Sequence, residues 1–150
     1  MTFATIDTPI GWFRITENNG FVIEVREVDD GIASPDCKKN LDDVIAQIKD
    51  YFSGALHQFS FPVELYGTPF QKAVWMECRK IPYGETRTYS DIAHAIGCPG
   101  AVRAVGTALG KNPILLAVPC HRVMARKGMG GFRLGQNVKS YLLGLEGKVD

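Results

Sequence analysis

The spacing of apolar residues changes from strand-like to helical along this chain, and that change constrains the fold more than any other feature. The runs TFATI, GWFRIT and FVIEVREV lie within residues 2–28 and are separated by the turn signals DTPI and ENNG. In the third run, Phe21, Ile23 and Val25 alternate with polar residues, which is typical of a strand with one buried face. The pattern predicts a small antiparallel sheet.

One helix is predicted to cover this sheet. The segment NLDDVIAQIKDYFSG has acidic residues in its first turn and Gly54 as a stop signal. At helical spacing, its apolar face consists of Leu41, Val44, Ile45, Ile48 and Phe52. The stretch ALHQFSFPVELYG then reads as an exposed linker or a last strand. Residues 1–66 are therefore predicted to form a self-contained α+β unit.

Helix signals dominate from Thr68 onward. Thr68, Pro69 and Gln71 form the pattern of a capping box with proline at the first helical position. Further helices are predicted in YSDIAHAI, AVRAVGTALG and QNVKSYLLGLEG, and the first two, joined by GCPGA, outline a helix-turn-helix. The predicted fold class is α+β, with a small N-terminal antiparallel sheet plus helix followed by a mainly helical C-terminal domain over residues 67–150.

The helix in AVRAVGTALG has two unlike faces. Val102, Val105 and Leu109 are expected to pack inward, and the other stripe consists of Arg103, Gly106, Thr107 and Gly110. Each glycine costs a helix up to ~1 kcal/mol relative to alanine, so the stripe calls for an explanation. Two explanations stay open: close approach to a DNA groove with Arg103 projecting from the helix, or close packing against another helix with Gly110 as a cap.

The apolar run ILLAV leads directly to Cys120 and is expected to be buried. A glycine-rich loop, MARKGMGGFRLG, follows the cysteine. The last helix is predicted to turn four residues inward, namely Val138, Tyr141, Leu142 and Leu145.

Charge is distributed unevenly although the formal net charge is only +1. Residues 1–66 carry five Lys/Arg against eleven Asp/Glu, and residues 67–150 carry twelve against five. An acidic half beside a basic half indicates that the second half meets a polyanion such as nucleic acid. The alternative is two solvated faces that balance each other.

Cysteine and histidine usage favours free thiols and no metal site. The residues lie far apart without CxxC or similar spacing: Cys37, Cys78, Cys98, Cys120, His57, His94 and His121. No apolar run approaches the ~20 residues of a membrane helix, and the N-terminus lacks the features of a signal peptide. We therefore expect an intracellular, cytoplasmic protein that needs no cofactor.

Cys120 is the strongest candidate for chemistry, because nothing about packing a small thiol asks for the proline, histidine and arginine that surround it. A reactive cysteine needs its thiolate, which a neighbouring imidazole or a helix N-terminus can favour. His121 could act in this way, with Glu146 orienting the ring. Taken alone, however, a Cys-His dipeptide is more often incidental than catalytic.

The residues around the cysteine change that balance. PCHRV at 119–123, preceded by RAVGTAL and KNPILLAV and followed by LLGLEG, resembles the O6-alkylguanine-DNA alkyltransferase family, or methylated-DNA–protein-cysteine methyltransferases. The resemblance covers residues 68–147. It implies a ribonuclease H-like structural domain over residues 1–66 and a DNA-binding, alkyl-acceptor domain over residues 67–150.

The resemblance also implies a role for each matching residue. Cys120 would attack the alkyl carbon on guanine O6 once per molecule, His121 would act as base through a water, and Glu146 would orient it. Asn112 would brace the site, and Tyr89 would donate to guanine N3 of a flipped base. The implied DNA contacts, made through the minor groove by a monomer, are Thr88, Tyr89, Arg103, Ala104, Gly106, Thr107 and Arg122. The implied substrate contacts are Leu115, Val123, Gly131, Phe132 and Arg133.

Two departures from the family pattern bear on these expectations. The loop GGFRLGQ places Arg133 and Leu134 where the family usually has small residues, which puts tolerance of bulky adducts in doubt. Some relatives hold zinc in the N-terminal domain, and the lone Cys37 argues against that here. Activity on O4-alkylthymine and association with the nucleoid are further expectations.

Two other functions are alternatives to alkyl transfer. A lesion-recognition module with an inert cysteine would not need PCHRV. A turnover cysteine hydrolase would need an oxyanion hole and a route for water, neither of which the sequence reveals, and it would leave the basic half unexplained.

Overall fold

The computed structural model describes residues 1–31 and 41–147, so Cys37 lies outside the described residues. Two compact units are present: unit 1 comprises Met1–Leu65 with Pro113–Leu115, and unit 2 comprises Tyr66–Asn112 with Leu116–Asp150. The predicted α+β class is confirmed. The separation near residue 66 resembles the predicted boundary, but Pro113–Leu115 belong to unit 1, which the sequence does not indicate.

The predicted antiparallel sheet forms in unit 1. Its strands are β1 (Thr2–Thr8), β2 (Gly11–Asn18) and β3 (Phe21–Val28), in the order β1-β2-β3. The face turned to the core buries Ala4, Ile6, Phe13, Ile15, Val22 and Val25.

A β-bulge in β3 overturns the predicted alternation. Thr16 pairs with Glu24 and Glu17 pairs with Val22, so Ile23 is the extra residue. One inserted residue reverses which side chains face inward. As a result Val22 is buried, and Phe21, expected on the same face as Val25, is 40% exposed.

Helix α1 (Asp42–Ser53) begins and ends as predicted, with Gly54 in the left-handed conformation at φ +85°. The free edge of β3 is partly covered by two short segments. Val22 forms a parallel bridge with Val63, and Val25 forms one with Ile114. These bridges satisfy backbone groups that an edge strand would otherwise leave unpaired.

Unit 2 is built from α2 (Pro69–Cys78), α3 (Tyr89–Ala95), α4 (Val102–Gly110) and α5 (Gln136–Leu145). The predicted capping box of α2 is confirmed: Gln71 N–H donates to Thr68 Oγ1 at 3.1 Å, and Thr68 N–H donates to Gln71 Oε1 at 3.0 Å. The α3–turn–α4 segment has the predicted helix-turn-helix order. A parallel pair of two-residue strands, β4 (Arg87–Thr88) and β5 (Val123–Met124), completes the unit.

Two helix faces differ from the predictions. Val102 on α4 is 39% exposed, and Tyr141 on α5 is 42% exposed, although both were expected inside. The buried stripe of α5 instead runs through Lys139, Leu142 and Leu143. The buried stripe lies one position after the predicted stripe. The prediction missed it because a pattern of apolar residues does not count Lys139 as a core residue.

The apolar run before Cys120 is buried as predicted, but it is not a continuous strand. Leu116 has φ +72°, in the left-handed region that β-carbon sterics disfavour for residues other than glycine. The chain therefore turns sharply four residues before the cysteine. Among the described residues, no helix is long and apolar enough to cross a membrane.

Candidate active site

Cys120 lies in a cavity of about 430 Å³ within unit 2. The cysteine begins a single 3-10 turn, Cys120–Arg122, which leads into β5. Because β5 pairs with β4, and α3 starts directly after β4, this pairing sets the cysteine turn beside the start of α3. The lining residues come from α3, α4, the cysteine turn and the loop before α5: Tyr89, Val102, Arg103, Gly106, Leu109, Gly110, Cys120, Gly131, Phe132 and Arg133.

The Cys120 thiol is held by Asn112. The amide Nδ2 of Asn112 donates to Cys120 Sγ at 3.2 Å and to the carbonyl of Val118 at 2.7 Å. Burial raises the pKa of Cys120 above its ordinary value, while the Asn112 amide and the charges of Arg133 and Lys139 act in the opposite direction. The thiol is therefore protonated at neutral pH, and a nucleophilic reaction requires a base to remove its proton.

His121 and Glu146 form a buried pair that could serve as this base. Their side chains are 1% and 0% exposed, and His121 Nε2 lies 2.7 Å from Glu146 Oε2. Burial lowers the pKa of His121, whereas the hydrogen bonds and charges of His121 and Arg122 lower the pKa of Glu146 to about 2 despite its burial. At neutral pH the pair is a neutral imidazole that donates its Nε2–H to a carboxylate.

The structure corrects the interpretation of Arg122 as a DNA contact. Its side chain is only 8% exposed, and its Nε and Nη2 donate to the two oxygens of Glu146 at 2.7 and 3.0 Å. Its Nη1 donates to the carbonyl of Ile81 at 2.7 Å. A guanidinium engaged on all three nitrogens inside the unit has no reach to a phosphate.

Lys139, which the sequence analysis did not single out, is fully buried on α5. Its ammonium donates to the carbonyls of Val123 and Met129, both at 2.6 Å, and of Gly131 at 3.1 Å. Burial lowers its pKa to about 8. Three acceptors match the three N–H groups of the ammonium, so Lys139 ties β5 to the loop before α5.

Tyr89 stands at the mouth of the cavity. Its hydroxyl donates to the carbonyl of Gly131 at 3.2 Å, and burial raises its pKa, which keeps the hydroxyl protonated. Gly130, at φ +72°, packs so closely that a β-carbon there would lie 2.8 Å from the tyrosine ring. Only glycine fits this position.

The bare stripe of α4 faces the cavity and not another helix. Gly106 and Gly110 both line the cavity, and a β-carbon added at Gly110 would meet nothing within 4 Å. The explanation by close helix packing is therefore wrong. The neighbouring positions Arg103, Ala104 and Thr107 are exposed, so this face of α4 is accessible to a large ligand.

The remaining predicted substrate and DNA residues occupy three kinds of position: the cavity wall, a helix cap and the buried interior. Phe132 and Arg133 line the cavity, and Arg133 Nη1 donates to the carbonyls of Gly110 and Asn112 at 3.2 and 2.8 Å. Thr88 caps α3 through Oγ1, which accepts from Asp91 N–H at 3.0 Å. Leu115 and Val123 do not line the cavity. Leu115 is 2% exposed, and its N–H donates to Val25 O within unit 1. Val123 is 0% exposed, and its carbonyl accepts from Lys139.

No group of three or more His, Cys, Asp or Glu side chains that could hold a metal ion occurs within residues 1–31 and 41–147.

Comparison with known proteins supplies an independent view of this site. Residues 69–148 match the family model described as 6-O-methylguanine DNA methyltransferase, DNA binding domain. A probable methylated-DNA–protein-cysteine methyltransferase of Acanthamoeba polyphaga mimivirus is 42% identical, over 99% of this chain and 98% of the relative. A methylated-DNA–protein-cysteine methyltransferase of Mycolicibacterium paratuberculosis is 39% identical, over 96% of this chain and 91% of the relative.

Solved structures agree with the sequence relatives. The crystal structure of Mycobacterium tuberculosis O6-methylguanine methyltransferase superposes with a TM-score of 0.88 at 40% identity, covering 97% of this chain and 93% of that one. The structure of Mycobacterium tuberculosis OGT in complex with DNA gives a TM-score of 0.88 at 41% identity, covering 96% and 91%.

Proposed function

This chain belongs to the 6-O-methylguanine DNA methyltransferase family, and from that premise we propose that it repairs double-stranded DNA by moving the alkyl group of O6-alkylguanine onto its own Cys120. The observation that carries the proposal is the position of Cys120: it lines a cavity beside the accessible, small-residue face of α4, and a buried His121–Glu146 pair follows it in the chain.

The proposed reaction is a single displacement. As the bond from Sγ to the alkyl carbon forms, the bond from that carbon to guanine O6 breaks, and its electron pair stays with the guanine. The thiol proton passes to His121 through a water, and Glu146 stabilises the imidazolium that results. Tyr89 donates a hydrogen bond to the departing base at N3. The thioether product has no hydrolysis route, so each molecule reacts once.

Access to O6 requires the target base to leave the helical stack. We assign this task to the exposed face of α4, which enters the minor groove with Arg103 filling the vacated space and with Ala104, Gly106 and Thr107 against the backbone. Thr88 contributes at the start of α3. Gly131, Phe132 and Arg133, which line the cavity, would surround the flipped guanine, or an O4-alkylthymine. The protein would act as a monomer associated with the nucleoid, with unit 1 as a structural domain.

Label transfer tests the proposal. The protein is mixed with excess duplex DNA carrying radiolabelled O6-methylguanine, transfer is followed to a plateau, and the label is located by peptide mass. We expect about one methyl group per protein, on Cys120. Cys120→Ser should accept none, whereas the matched variant Cys98→Ser, at an exposed cysteine outside the cavity, should reach the same plateau as the unmodified protein.

Two outcomes would contradict the proposal. Binding of the damaged duplex without transfer would make the protein a lesion-recognition module. Release of label beyond one equivalent would mean that the thiol turns over, which single-use chemistry forbids.

A further inference from the structure

Arg122 has its most extensive contacts with the carboxylate of Glu146. Nε and Nη2 form a two-pronged bond to the two carboxylate oxygens, and one of these oxygens also accepts from His121. This paired geometry is the strongest that a guanidinium and a carboxylate make. All three side chains are almost completely buried, so the ionised carboxylate depends on protein groups in place of water.

The guanidinium is fixed from its other sides as well. Nη1 donates to the carbonyl of Ile81, and the guanidinium carbon lies 5.7 Å from the centre of the Tyr83 ring. The hydroxyl of Tyr83 donates in turn to the carbonyl of Leu145, the residue before Glu146. These contacts fix the guanidinium of Arg122 in one orientation, with Nε and Nη2 directed at Glu146.

We propose that Arg122 is a positioning residue for alkyl transfer: its guanidinium holds Glu146 ionised, so that His121 stays neutral and its Nδ1 lone pair can accept the thiol proton through the water. The inference rests on the proposed function, since it describes how the base of that reaction is kept ready. It also replaces the DNA contact first assigned to this arginine.

A buried carboxylate whose only partner was His121 would attract a proton onto the ring, and an imidazolium cannot accept a second proton from the thiol. The permanent charge of Arg122 satisfies the carboxylate, and it also opposes protonation of the ring. The pair is surrounded by other titratable groups, namely Cys78, Tyr83, Cys120 and Lys139; of these, Lys139 further opposes a positive charge on the ring.

The test is the pH dependence of single-turnover methyl transfer from duplex DNA. Arg122→Gln should move the acidic limb of the rate profile up by about one pH unit or more, which makes transfer about tenfold slower on that limb. Arg122→Lys, which keeps the charge without the fork, should restore the position of the limb. Arg79→Gln, at an exposed arginine outside the cavity, is the matched control.

Two further readouts distinguish positioning from other roles. Affinity for undamaged duplex should change less than about twofold in Arg122→Gln, because the buried guanidinium does not reach a phosphate. Loss of a phosphate contact would instead weaken binding and reduce its salt dependence. In the unmodified protein, ¹⁵N NMR of the His121 ring should show the neutral Nε2–H tautomer at pH 7, because burial lowers the pKa of this imidazole. His57→Gln and His94→Gln assign the signals, and this measurement needs no Arg122 variant to fold.

The inference is overturned by an unmoved acidic limb in a folded Arg122→Gln protein, by lost affinity for undamaged DNA, or by an imidazolium at pH 7. Absence of methyl transfer in the unmodified protein would instead remove the proposed function. The NMR result would still decide whether His121 is neutral, which the inference requires, because an imidazolium at pH 7 overturns it with or without methyl transfer.

Discussion

Replacing Lys139 with methionine should destabilise the protein by about 3 kcal/mol. The substitution keeps an unbranched side chain, shorter than lysine by one atom, and removes the donors to the carbonyls of Val123, Met129 and Gly131. Each bond from a charged donor contributes about 1.5–3 kcal/mol. Against this, burial lowers the pKa of Lys139 from 10.5 to about 8, which corresponds to a cost of about 3 kcal/mol for keeping the ammonium inside. The three bonds together outweigh that cost.

Urea denaturation at pH 7 measures the loss, and thermal unfolding should show a midpoint lower by about 6–12 °C. Lys72→Met, at an exposed position on α2, is the matched control and should change the free energy of unfolding by less than about 0.5 kcal/mol. If Lys139→Met is as stable as the control variant with an unchanged denaturant slope, then the three carbonyls do not depend on the ammonium, and the reasoning fails.

Three other perturbations should give distinct results. Asn112→Ala removes the donor to Sγ, so the pKa of Cys120 should rise further, which the pH dependence of thiol alkylation by iodoacetamide would detect; an unchanged profile would contradict this. Arg103→Ala should slow methyl transfer from duplex DNA more than from a single strand, where no stacked partner must be displaced; equal slowing would exclude a role in base flipping. The free energy of unfolding should fall on acidification, because the lowered pKa values of His121 and Glu146 let the unfolded chain bind protons first, below pH 6.5 and 4.5 respectively. The contribution of Glu146 to the free energy of unfolding, about 3 kcal/mol, should be lost between pH 4.5 and about 2. Urea titrations that show no such loss would refute this prediction.

Features that depend on neighbouring residues could be predicted from the sequence. The capping box of α2 needs only Thr68, Pro69 and Gln71, and the end of α1 needs only Gly54. The β-bulge at Ile23 could not be predicted in this way, since an extra residue is defined by the partner strand. The sequence of β3 alone gives a regular alternation, and the pairing with β2 breaks it.

The roles of the buried cations depend on residues far away in the chain. Arg122 contacts Ile81 and Glu146, and Lys139 contacts Val123, so no local pattern contains both partners. A charged residue is expected at the surface unless a partner is known. One signal was present: Lys139 and Glu146 lie seven positions apart, on the same face of α5 as Leu142 and Leu143. Two charged residues on an otherwise apolar helix face indicate buried side chains joined by hydrogen bonds or ion pairs.

The raised pKa of Cys120 explains how a thiol that, in the proposed reaction, reacts only once could be preserved for its substrate. A thiolate exposed at rest would be consumed by any small electrophile, whereas this thiol is protonated and only 7% exposed. In the proposed reaction, the thiol loses its proton only when an alkyl carbon occupies the cavity and the neutral His121 can accept it. Selectivity for the alkylated base then follows, because the bond to sulfur forms only as the thiol proton is transferred. This coupling also requires the base to be unprotonated beforehand, which is the condition that Arg122 maintains in the network proposed above.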